Sequence, residues 1–175
     1  MNQMISQPPM SVSTDNRMSI DSRHRFALVH AQWHGDIVQN ARDGFRDEML
    51  RHGVAESAID EFGVPGAFEI PLHARKLAQS GRYSAIIASA LVVDGGIYRH
   101  EFVSSAVIDG LMRVQLDTEI PVISAVLTPK DFHDHDDHRR FFSAHFVTKG
   151  TEAAQACLRT VISLDQIGQL KMLNR

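Results

Sequence analysis

Cysteine and tryptophan each appear once in this 175-residue chain, and tyrosine twice. With Cys157 alone there is no internal disulfide framework, so the fold has to close by burial, and a chain of this length can do so as one domain. Cys157 falls on an apolar helical stripe, which reads as a small core residue. An excess of one charge is also lacking: 18 basic against 21 acidic residues leave a net charge of -3. That balance gives no general pull toward nucleic acid or a membrane surface, and leaves room only for a local basic patch. No apolar run approaches the roughly 20 residues of a membrane span, and the start has no hydrophobic signal core. The expectation is a cytoplasmic protein in a reducing compartment, with no nucleic-acid or membrane partner.

Residues 1 to 23 are rich in Ser, Met, Asn, Gln and Pro and have no sustained apolar period. Such a stretch cannot repay the entropy of ordering, so it is expected to be a disordered tail before a domain over residues 24–175. From Phe26 short apolar runs alternate with helical stripes. Strands are predicted over Phe26 to His30, Ala58 to Val64, Ser84 to Val93 and Pro121 to Leu127, the third apolar nearly throughout as befits a strand covered on both faces. Helices are predicted from Ile37 to a stop at Gly53, over Ile70 to Ala78, from Phe102 to Val114, and from Thr151 to about Leu164. Successive strand–helix units predict an α/β fold, a flavodoxin-like three-layer α/β/α sandwich around a four-stranded parallel sheet. Ligands of such sheets bind beyond the carboxyl ends of the strands. The loops placed there are Gln32 to Asp36, Val64 to Glu69, Val92 to His100, and Thr128 to Lys149.

These loops hold the residues that could carry chemistry. In the second, Pro65 and Gly66 set a tight turn, Phe68 offers an aromatic face or a core residue, and the backbone N–H groups of Glu69 and Ile70 stand at a helix start that Pro71 suits. In the first, Trp33 is either a stacking surface for a planar heterocycle or a buried structural residue, and His34 follows it. In the third, Gly95 and Gly96 precede a helix start whose bare amides could hold a phosphate. Arg99 adds a permanent charge there, and His100 a group that exchanges protons near neutral pH. The fourth loop contains His133, Asp134, His135, Asp136, Asp137 and His138, a string that matches the H-x-H-x-D-H pattern of zinc hydrolases. Four to six ligands would be needed and only His145 follows, so no metal is expected.

Taken together, Val64-Pro65-Gly66-Ala67-Phe68-Glu69-Ile70-Pro71, the aromatic residue after the first strand, the glycine loop and Lys149-Gly150 resemble the lumazine synthase family of riboflavin biosynthesis. The likeness spans roughly Arg25 to Leu164. Trp33 and Asp94-Gly95-Gly96-Ile97-Tyr98 resemble the second type of that enzyme, found in alphaproteobacteria. The resemblance implies a transferase that joins 5-amino-6-(D-ribitylamino)uracil to 3,4-dihydroxy-2-butanone 4-phosphate without metal or cofactor, in pentamers or decamers with sites between neighbouring subunits. Pyrimidine and ribityl chain would be bound by Trp33, His34, Gly66, Ala67, Phe68, Glu69, Ile70, Val92, Val93 and, from a neighbour, Ser124 and Lys149. Phosphate would be bound by Gly95, Gly96 and Ile97, with Arg139, Arg140 or His145 supplying the cation that the family carries near Phe141. The family's proton-transferring histidine aligns with Arg99, one residue before His100, so both are candidates for the catalytic role. A flavin or lumazine binding protein on the same fold is the alternative.

Overall fold

The structure, a computed structural model, describes residues 18–94, 96, 99–130, 132 and 135–173. Its order is β1 (Phe26–Ala31), α1 (Gly35–Arg51), β2 (Ile59–Val64), α2 (Ile70–Gln79), β3 (Ala85–Leu91), α3 (His100–Thr118), β4 (Val122–Leu127) and α4 (Asp136–Leu173), with single 3₁₀ turns at Glu56–Ala58 and Ala67–Glu69. The strands lie in the order β2-β1-β3-β4, and every pairing is parallel.

Period-two alternation along the strands decides which face each residue covers. Ala27, Val29 and Ala31 of β1 with Ile86, Ala88 and Ala90 of β3 pack under α2 and α3, against Ile70, Ala74, Val107 and Leu111. Phe26, Leu28, Ala85 and Ile87 point the other way, onto Phe45 and Met49 of α1 and Ala154, Cys157 and Leu158 of α4. The result is the expected sandwich of three layers. Cys157 is fully buried, and that burial pushes its thiol up to about 12. At the crossing of α1 and α4 the backbones nearly touch: a Cβ added at Gly44 would meet the Val147 carbonyl, and one at Gly150 the Ala41 carbonyl.

Two boundaries differ from the sequence reading. The last helix starts at Asp136 rather than Thr151 and runs for 38 residues. Its apolar stripe begins with Phe142 and Phe146, which bury against Ile37, Val38 and Ala41, and continues without a break into Ala153 and Cys157. Asp136 and Asp137 in the first turn favour a helix start, being negative charges at the positive end of the dipole. Lys149 therefore sits mid-helix rather than at its opening. The second difference concerns the stretch before residue 24. Met18 and Ile20 pack against the second core cluster, and the Met18 N–H donates to Nδ1 of His52 at 2.9 Å.

β1 lies between β2 and β3, so the chain leaves its end toward one side of the sheet while β3 leads to the other, and a crevice opens where the two loops diverge. The register fixes what faces that crevice. Ala31 pairs with Val64, which brings the residues after β1 and β2 side by side.

Candidate functional site

Beyond that edge lies a cavity of about 330 Å³. The loop after β1 supplies Trp33 and His34, the loop after β2 supplies Pro65 to Glu69, and the end of β3 with the start of α3 supplies Leu91, Val92, Val93, His100 and Val103.

Trp33 is 68% exposed, which rules out the structural-core alternative. Its N–H donates to the Pro65 carbonyl at 3.2 Å, and its indole lies against Gly66, where an added Cβ would come within 3.4 Å of Cε3. The ring is thus packed on Gly66 while most of it stays open at the cavity. His34 has φ 52° and ψ 37°, a left-handed conformation that is costly for a side chain with a Cβ. What holds it there is the start of α1: the His34 carbonyl accepts the N–H groups of Ile37 and Val38, both at 2.9 Å, and its ring stands edge-on to Phe132 at 5.5 Å.

At the second loop, Oε2 of Glu69 accepts the Gly66 N–H at 2.9 Å, so the acid reaches back across its own turn and stiffens it. Phe68 is 65% exposed, again contrary to a core role. Ile70 departs from expectation. Its side chain is fully buried among α2 and α3 residues, and its N–H is taken by the Ala67 carbonyl, because the 3₁₀ turn closes on itself before the helix begins. It does not line the cavity.

The third loop brings in His100 but not Arg99. His100 is the first residue of α3, with its side chain 15% exposed and Nδ1 3.8 Å from Oε2 of Glu101. Arg99 turns outward and lays its guanidinium over the Phe102 ring, 4.6 Å from the centroid. Gly96 has φ 72°, which glycine adopts without strain, and its N–H donates to Oδ1 of Asp94 at 2.9 Å. Gly95 and Ile97 lie outside the described residues.

The remaining predicted residues stand apart from this chain's own cavity. Ser124 is exposed on β4, the edge strand, where its Oγ accepts the Val126 N–H at 3.3 Å. Lys149 pairs with Glu152 at 2.6 Å. Arg139 pairs with Asp36 of the first turn of α1, and the His145 ring stacks on Phe141 with centroids 5.7 Å apart. Of the His133 to His138 string, His133 and Asp134 lie outside the described residues. Among the described residues no group of three His, Cys, Asp or Glu side chains is arranged to hold a metal ion, and no helix is long and apolar enough to cross a membrane. Sequence reasoning passed over Leu91, Val103 and Phe132. Val103 was within reach, since it sits one helical turn after His100 and shares its face; nothing in the sequence singled out Phe132.

The fold and this cavity define a doubly wound α/β protein with a heterocycle-sized pocket at the switch point of its sheet. The chain belongs to the 6,7-dimethyl-8-ribityllumazine synthase family, whose model matches residues 23–165. It is 60% identical over 147 residues to the 6,7-dimethyl-8-ribityllumazine synthase of Rhodococcus erythropolis, covering 84% of this chain and 95% of that one. Two proteins named 6,7-dimethyl-8-ribityllumazine synthase 2 are also similar. That of Pseudomonas syringae pv. tomato is 52% identical, with 91% of this chain and 92% of the relative covered. That of Bradyrhizobium diazoefficiens is 53% identical, with 82% and 86% covered.

Proposed function

We propose that this chain condenses 5-amino-6-(D-ribitylamino)uracil with 3,4-dihydroxy-2-butanone 4-phosphate to 6,7-dimethyl-8-ribityllumazine, releasing phosphate and water, in the penultimate step of riboflavin biosynthesis. The observation that carries this reading is the cavity itself. An exposed indole at Trp33, a turn stiffened by Glu69, and His100 at a helix start line one pocket in a chain of this family.

The chemistry asks for positioning and proton movement. Trp33 stacks on the pyrimidine, and the exposed Phe68 adds a second apolar surface beside it. The backbone of Val92 and Val93 holds the pyrimidine amides, and Glu69 with Ala67 holds the ribityl hydroxyls. His100 moves the protons as the exocyclic amine attacks the ketone, the imine forms and phosphate leaves. The geometry favours His100 over Arg99, since the imidazole lines the cavity while the guanidinium is stacked outside it. Phosphate binds at the glycine loop that includes Gly96, ahead of the N-terminus of α3.

Ser124, Lys149, Arg139 and His145 serve a neighbouring copy's cavity in a homo-oligomer of pentamers. Support comes from the apolar side chains left on α2 and α3: Leu72, Ile108, Met112 and Leu116 are all exposed, and the last three recur every fourth residue along one stripe. The deciding experiment incubates the purified protein with both substrates and follows lumazine formation optically, with light scattering for particle size. Formation that survives chelator is expected. Tight binding of the pyrimidine with no turnover would establish the binding-protein alternative instead.

A further inference from the structure

We propose that Asp94 weakens and speeds the exchange of the phosphorylated substrate, by holding a carboxylate on the N–H that the phosphate needs. The proposal deepens the function given above and rests on the assignment of the Gly96 loop to phosphate.

The Gly96 N–H is a donor of the kind that a phosphate dianion uses near a helix start. In the free protein it already has an anionic partner, Oδ1 of Asp94 at 2.9 Å. An entering phosphate has to break that hydrogen bond. It then shares the loop with the displaced carboxylate, which stays close because Asp94 is tethered two residues from the donor. Like charges at such separation repel appreciably even at the protein surface. Glu101 adds a second carboxylate in the first turn of α3, 3.8 Å from Nδ1 of His100. Arg99, the compensating cation, rests on the Phe102 ring. The charges described around this donor are therefore arranged against tight anion binding. After phosphate is eliminated the same arrangement assists its departure, because the carboxylate returns to the Gly96 N–H as the product leaves.

Two variants separate charge from hydrogen bonding. Asp94→Asn keeps an oxygen for the Gly96 N–H and removes the charge, whereas Asp94→Ala removes both. Steady-state kinetics with the full chain are expected to show KM for the butanone phosphate, and the competitive inhibition constant of inorganic phosphate, falling roughly three- to tenfold in Asp94→Asn, and further in Asp94→Ala. KM for the pyrimidine stays at the wild-type value, and the gap between wild type and Asp94→Asn narrows as ionic strength rises. The proposal is overturned if Asp94→Asn leaves both phosphate constants unchanged or raises them. A purely structural role gives a different pattern, with Asn like wild type and Ala raising KM for both substrates, and it too overturns the proposal. If inorganic phosphate competes with the butanone phosphate in neither wild type nor variants, the loop assignment falls and the proposal with it.

Discussion

At the amino edge of the sheet His24 bridges Ser84 and Asp165, at 2.7 and 2.9 Å, and Arg25 grips Asp60 with contacts of 2.9 and 3.0 Å while the Tyr83 hydroxyl donates to the same acid at 2.8 Å. At the carboxyl edge Trp33, Phe68 and Phe102 stand exposed, His34 is held in a left-handed conformation, and a carboxylate occupies a backbone donor of the glycine loop. The first edge ties four segments of the chain together. Because a carboxylate only accepts, Nε2 of His24 carries the proton toward Asp165. The hydrogen bond and charge from Arg25, with the Tyr83 hydroxyl, hold the Asp60 carboxyl below its usual range. The second edge keeps apolar surface and unsettled charge in the open, an arrangement that stabilises a ligand rather than the fold. Stability and function are therefore separable along the strand direction, and variants at the two edges should fail in different assays.

The largest expected effect lies below the sheet's site, at Glu48, a carboxylate 5% exposed between α1 and α4. Burial raises its proton affinity, but hydrogen bonds from Arg51, Gln155 and His52 outweigh that and leave the carboxyl below its usual range. Glu48→Ala strands these partners and should lower stability by about 2–4 kcal/mol, read as a drop in Tm, with kcat unchanged. The same depressed carboxyls give a pH sign. Glu48 and Asp60 contribute stability above the ordinary carboxylate range, and it is lost as pH falls through their lower folded values. Urea midpoints should hold steady down to roughly pH 5 and then fall, and in Glu48→Ala the fall should be shallower.

Next in size is Trp33→Ala, which should weaken pyrimidine binding by about 1–3 kcal/mol while moving Tm little, since so exposed a ring contributes little to folding. Wild-type indole emission, which reports on this one residue, should be quenched at saturating pyrimidine. Unchanged emission would move the heterocycle elsewhere. His100→Ala should lower kcat by roughly tenfold or more, about 1.4 kcal/mol, the lower edge of a general acid–base contribution. Arg99→Ala should leave kcat near wild type and change KM for the butanone phosphate, and a larger kcat loss there than in His100→Ala would reverse the assignment. The smallest effect belongs to the amino edge. Ser84→Ala removes one hydrogen bond to His24 and should cost about 0.5–1.5 kcal/mol of stability, with both KM values intact. A KM shift in that variant would show that the two edges are coupled.

The sequence by itself determined the strand and helix order, the parallel sheet and three of the loops at the site. Those follow from short-range pattern: apolar runs with period two, stripes with period 3.6, and turn residues between them. It also determined that Trp33, Phe68 and His100 belong near one edge, because each directly follows a strand or opens a helix. Which way their side chains point was decided only by tertiary structure. Trp33 and Phe68 had two readings until the packing of Gly66 against the indole and the Ala67–Glu69 turn left both rings outside the core. Two adjacent candidates, Arg99 and His100, became one inside the cavity and one outside, since Arg99 precedes the helix with a non-helical backbone while His100 is its first residue, and only the α2–α3 contact fixes which helix face turns inward. The long α4 was hidden for a related reason. Its first turns are polar and rich in histidine, and only Phe142 and Phe146 finding α1, with Gly44 and Gly150 letting the backbones meet, commits that segment to a helix and moves Lys149 away from its start. Ile70 and Gly96 were read as open donors because a sequence shows that an N–H exists, and only the folded chain shows which oxygen already holds it.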